Sequence, residues 1–204
     1  MMTKPITRCG SLLFLTFLIA LPTSAQNNNL LENPNADQGT SHWRTTGDAA
    51  VEQTSDGNWR FVVRNKGSFV QHVTLPEDSL GKYALLIGRA SSERINSDGA
   101  ITGLPYLYGY MMKGGDSSTV RINSYLQGQQ MLGRAQKANQ WVTVWGIFEV
   151  ASATSKILFF LNQAERKDLP QNGSAAWFDD LGLYLCSNEA ECKAFVEAYN
   201  KQSH

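Results

Sequence analysis

The chain is poor in the residues that build metal and redox centres. Three cysteines and three histidines in 204 residues leave too little material for a zinc scaffold. An excess of charge of either sign is also missing, with 18 Lys and Arg against 18 Asp and Glu. Without a basic footprint, phosphate tracking is improbable as the main activity, and no nucleic-acid partner is expected. G-x-S-x-G, H-E-x-x-H, a P-loop, GxGxxG and CxxC are all absent. Nor can Asp98, Asp116, Glu149, Glu165 and Asp168 be paired from sequence as the two carboxylates of a glycosidase. Catalysis has no visible address, and a non-enzyme is expected.

What is present is the composition of a folded globular chain, 42% hydrophobic and 18% charged. Lys4 and Arg8 precede an apolar run from Leu12 to Leu21, and Thr23-Ser24-Ala25 offers small residues for cleavage. The run is about ten residues, short of the roughly 20 that span a bilayer. Residues 1–25 therefore read as a secretory signal peptide, with no membrane span after cleavage and a secreted or periplasmic destination. Residues 26–204 then form one domain with one core. Of the cysteines, Cys9 leaves with the leader. Cys186 and Cys192 stay, and an oxidising compartment makes them a disulfide. Asn188 to Gln202 reads as a helix, with Asn188 and Glu191 as a capping box and Cys192, Phe195, Val196 and Tyr199 on one stripe.

From Trp59 to Leu185, apolar residues recur at period two or in short β-branched and aromatic runs between Gly, Asn, Asp and Ser clusters. Eight strands are predicted: Trp59 to Asn65, Phe69 to Leu75, Lys82 to Arg89, Leu104 to Lys113, Ser118 to Gln127, Trp141 to Val150, Lys156 to Gln163 and Ala176 to Leu185. One sheet would leave an apolar face wet. The expected fold is all-β, a jelly-roll β-sandwich of two antiparallel sheets with a short C-terminal helix. Lys113-Gly114-Gly115-Asp116 marks a hairpin, since glycine reaches the positive φ of tight turns. Trp43, Trp59 and Trp177 are expected to fill the core or cover its edges, and His42 and His72 to be ordinary strand or loop residues.

Alternation puts Tyr106, Tyr108, Tyr110 and Met112 on one face of their strand. In the partner strand, Arg121, Asn123, Tyr125 and Gln127 share a face opposite Val120, Ile122, Ser124 and Leu126. If the two mixed faces coincide, flat rings stand beside amide and guanidinium donors. That suits a neutral sugar, whose C–H face packs on a ring while its hydroxyls take directional hydrogen bonds. The competing expectation is that the tyrosines fill the core with their hydroxyls at its rim.

Asn29-Leu30-Leu31-Glu32-Asn33-Pro34, with Asp37, Gly39 and Trp43, resembles the opening of the carbohydrate-binding modules that accompany xylanases and cellulases. Gln71 to Leu75 followed by Gly81 to Leu85, and the closing strand Trp177 to Leu183, are similar to later segments of the same modules. The resemblance implies a galactose-binding-like β-sandwich and a non-catalytic, lectin-like role, with a glycan or polysaccharide as partner. It also implies a structural calcium with ligands on Asp37 and Asp179, and Asp180 as a neighbouring candidate. Chelation is then expected to lower the thermal midpoint. The alternative is an extracellular or envelope protein-protein interaction module on the same fold.

Overall fold

The computed structural model describes residues 28–93, 105–113, 119–121, 138–151, 154–163 and 174–202. The strands are β1 (Arg44–Gln53), β2 (Trp59–Thr74), β3 (Tyr83–Ser92), β4 (Pro105–Lys113), β5 (Thr119–Arg121), β6 (Val142–Glu149), β7 (Thr154–Gln163) and β8 (Ala175–Cys186). A helix, α1 (Glu189–Gln202), follows. Hydrogen bonds join the strands in the order β5-β4-β7-β2-β8-β3-β6, with β1 on β2 and every pairing antiparallel.

β2 belongs to both halves of this sheet. Its residues Phe61 to Arg64 pair with β8, whereas Ser68 to Thr74 pair with β7. Between them Asn65 takes a φ of 50°, and opposite it the β1 register shifts between Thr46 and Asp48 around Gly47, whose φ is 57°. Backbones meet closely at this bend. A side chain on Gly67 would overlap the Asp48 carbonyl, so only glycine fits. The bend turns both halves toward one core, where Phe61, Phe69, Leu86, Leu107, Phe159 and Phe178 are buried together. Burying a phenylalanine is worth about 1.5–3 kcal/mol, so this shared interior is the main stabilising element. Trp43 packs 5.0 Å from Phe61 and donates its Nε1 hydrogen to the Asn33 carbonyl at 3.1 Å.

The sandwich expectation holds, with one correction. Two separate sheets were expected, but the hydrogen bonds form one continuous sheet, because the predicted strands Trp59 to Asn65 and Phe69 to Leu75 are a single bent strand. β1 is an addition, a polar and largely exposed strand with no clear alternation. β4 and β5 pair as the predicted hairpin, Met112 opposite Thr119, while the turn at 114–118 lies outside the described residues.

A smaller apolar cluster holds α1 on the outer face of β3, β6 and β8. Val196 and Cys192 of the helix pack with Leu85, Ile87 and Cys186, flanked by Trp145 and Tyr184. Cys186 and Cys192 form the expected disulfide, with Cα atoms 5.6 Å apart. The Asn188 side chain accepts from the Glu191 N–H at 2.9 Å, as a capping residue should. The Glu191 carboxylate accepts from Ser187 N–H instead of completing the box at Asn188.

Candidate functional site

β4 alternates as its sequence demands. Leu107 and Met111 enter the core, while Tyr106, Tyr108, Tyr110 and Met112 lie half-buried on the opposite face. The expectation that these tyrosines fill the interior is therefore set aside. On β7 their cross-strand partners are Asn162, Phe160 and Leu158 respectively. Tyr108 stacks parallel to Phe160 at 4.8 Å with 2° between the planes. Tyr106 tilts against Tyr108 at 5.2 Å, and Tyr110 stands edge-on to Tyr108 and Phe160 at 5.5 Å from each. Asn162 donates its Nδ2 hydrogen to the Tyr108 hydroxyl at 3.0 Å, which fixes that ring's tip.

The result is an outward patch of four rings with an amide at its edge. Rings and amides can pack on the C–H face of a sugar and bond its hydroxyls without any net charge. Arg121 is the register partner of Tyr110 on β5. Asn123, Tyr125 and Gln127 lie outside the described residues. Phe160 and Asn162 were missed from the sequence. The alternation of Leu158, Phe160 and Asn162 against Ile157, Phe159 and Leu161 carries the signal that would have found them.

The proposed calcium ligands are differently placed. Asp37 is exposed in the turn before β1. That turn closes on Asn33, whose Nδ2 donates to the carbonyls of Gly39 at 2.9 Å and Ser41 at 3.1 Å. Asp179 is buried on β8, accepting from Asn58 Nδ2 at 2.7 Å and from the Asp180 N–H at 2.9 Å. Desolvation raises the Asp179 pKa to about 6; the Asp180 charge adds to the rise, and the two hydrogen bonds and Arg89 oppose it. Asp180 is half-buried with its carboxylate 3.8 Å from an Arg89 nitrogen, and its carbonyl accepts from the Tyr199 hydroxyl at 2.6 Å. Among the described residues no three His, Cys, Asp or Glu side chains gather as a metal-binding group.

A cavity of about 410 Å³ opens beside Asp179, unforeseen from the sequence. Its walls come from the β1–β2 loop (Thr54, Asn58), from Arg60 on β2, Arg89 on β3, Trp141 ahead of β6, and Asp179 on β8. Here the β3–β8 register shifts between Ile87 and Arg89, and Asp180 takes a φ of 50°. Such a bulge re-aims side chains, in this case Asp179 toward the cavity. The Arg60 guanidinium lies 4.2 Å over the Trp177 ring and that of Arg89 5.6 Å from Trp141. Trp177 thus stacks under an arginine and is not core. His42 pairs with Glu32 and His72 is exposed on β2, as expected of ordinary residues.

No family model matches the sequence, and no curated protein matches it. Solved structures do. The enzymatically active domain of tailspike protein 4 of bacteriophage CBA120 superposes with a TM-score of 0.50 at 13% identity, covering 77% of this chain and 21% of that one. The likeness is one of fold. This chain thus spans about a fifth of the length of that domain's chain, 21%. TmCBM61 in complex with β-1,4-galactotriose is 17% identical, covering 76% of this chain and 97% of that one at a TM-score of 0.44. The CBM22-1 xylan-binding domain of Paenibacillus barcinonensis Xyn10C is 16% identical over 73% of this chain and 88% of that one, with a TM-score of 0.43.

Proposed function

We propose that the chain is a secreted or periplasmic, non-catalytic, lectin-like module that holds a glycan or polysaccharide on the tyrosine face of β4 and β7. The observation that carries this reading is the outward placement of Tyr106, Tyr108 and Tyr110 with Phe160 and Asn162, on the side of the sheet away from the core. Arg121, Asn123, Tyr125 and Gln127 would extend the surface with donors and a further ring. Export is supported by the apolar run after Lys4 and Arg8 and by the Cys186–Cys192 disulfide. No helix among the described residues is long and apolar enough to cross a membrane. The lack of a nucleophile, zinc or phosphate-loop motif supports a binding role without catalysis.

The alternative, a protein ligand on the same fold, expected the tyrosines between the sheets; facing outward, they lend it no support. A glycan screen tests the proposal, with capture of at least one neutral polysaccharide as the expected result and a screen without a hit as the result against it. Structural calcium is a separate proposal, resting on the resemblance of the opening segment and closing strand alone. A lower thermal midpoint in excess chelator supports it, and an unchanged midpoint ends it.

A further inference from the structure

The cavity beside Asp179 is remote in sequence from the tyrosine strands and uses none of their side chains. At about 410 Å³ it falls at the small end of the roughly 300–1,000 Å³ of small-molecule sites, room for one compact ligand and not a polymer chain. Charge decides the ligand's class. The lining holds two cations, Arg60 and Arg89, against two carboxylates, Asp56 and Asp179, so no net field selects an ion.

Directional partners are abundant. Each Asp179 oxygen already accepts one hydrogen bond, from Asn58 or from the Asp180 N–H, and a carboxylate oxygen accepts about two. Both therefore keep an acceptor position for a hydroxyl. The Asn58 amide retains its carbonyl and a second N–H, and the Arg60 and Arg89 guanidinium groups line the cavity as further donors. Trp141 supplies a flat apolar wall next to these groups. Acceptors for adjacent hydroxyls, amide and guanidinium donors, and an indole for a C–H face together match a polyol ring.

We infer that this cavity is a second ligand site, separate from the tyrosine face, that takes a single neutral hexose unit, free or at the end of a glycan. Asp179 accepts from two hydroxyls, Asn58 and Arg60 donate, and Trp141 packs on the ring. The test is titration of the full chain with a panel of neutral hexoses and the corresponding hexuronic acids, followed by tryptophan fluorescence and saturation-transfer NMR. A neutral hexose should bind, and Asp179→Asn and Trp141→Ala should each weaken it by about ten-fold or more. Binding of that hexose should survive Tyr108→Ala, which separates this site from the proposed polysaccharide surface. Should Asp179→Asn disturb folding, Trp141→Ala carries the test alone. The inference is overturned if no neutral hexose binds, if hexuronates bind in preference, if both cavity variants bind as wild type, or if Tyr108→Ala alone abolishes binding.

Discussion

Burial makes the Asp179 carboxyl a liability at neutral pH, since its pKa of about 6 lies above the 3.8 of a free side chain. The folded state then keeps a proton that the unfolded state has released. Stability is therefore greatest below about pH 4, falls as pH rises toward 6, and carries the full cost above that. Asp179→Asn should raise stability near pH 7 by about 1–2 kcal/mol after allowance for solvent screening, and by progressively less toward pH 4. Melting of both proteins across this range, in chelator-containing buffer, checks it; a difference independent of pH would refute the assignment. At this scale the sequence was partly legible. Period-two alternation exposed Tyr106, Tyr108 and Tyr110, because successive strand side chains point to opposite faces. The cavity was not legible, since Asn58, Arg60, Arg89, Trp141 and Asp179 meet only after β2, β3, β6 and β8 have paired.

At the scale of elements, the bend in β2 governs how the sheet closes. Asn65-Lys66-Gly67-Ser68 reads as a break between two strands, because its residue types are those of turns. In the fold the chain bends there without leaving the sheet, and Asn65 tolerates a left-handed φ better than most residues do. Gly67→Ala should cost about 1–3 kcal/mol or more, as overpacking against the Asp48 backbone forces the strands apart. Urea unfolding measures this, and an unchanged midpoint would mean the bend is not tightly packed. β1 escaped prediction because its first half, Arg44-Thr45-Thr46-Gly47-Asp48, is polar and exposed, held by its ladder to β2, while Ala49 and Val51 of its second half pack against the core. The helix was legible from its cap and stripe. Replacing both Cys186 and Cys192 by alanine should cost about 2 kcal/mol by the loop-entropy relation for so short a loop, seen as a lower thermal midpoint.

For the whole molecule, the sandwich class was readable from strand periodicity, whereas sheet continuity was not, because it depends on one strand serving both halves. The tyrosine face puts rings, hydroxyls and an amide outward, with stacking and neutral hydrogen bonds as the source of affinity. Glycan binding should accordingly change little between low and high salt, since screening acts on exposed charges. A steep loss of affinity in salt would point to an ionic ligand.

The most direct measurement is calorimetric titration of wild type and Tyr108→Ala with a polysaccharide that the wild type captures, both proteins checked by melting. Tyr108 stacks on Phe160 at the centre of the patch, so its loss should weaken binding by about ten-fold while the fold persists. Equal affinity of the two proteins would show that the saccharide, if held at all, is held somewhere other than the tyrosine face.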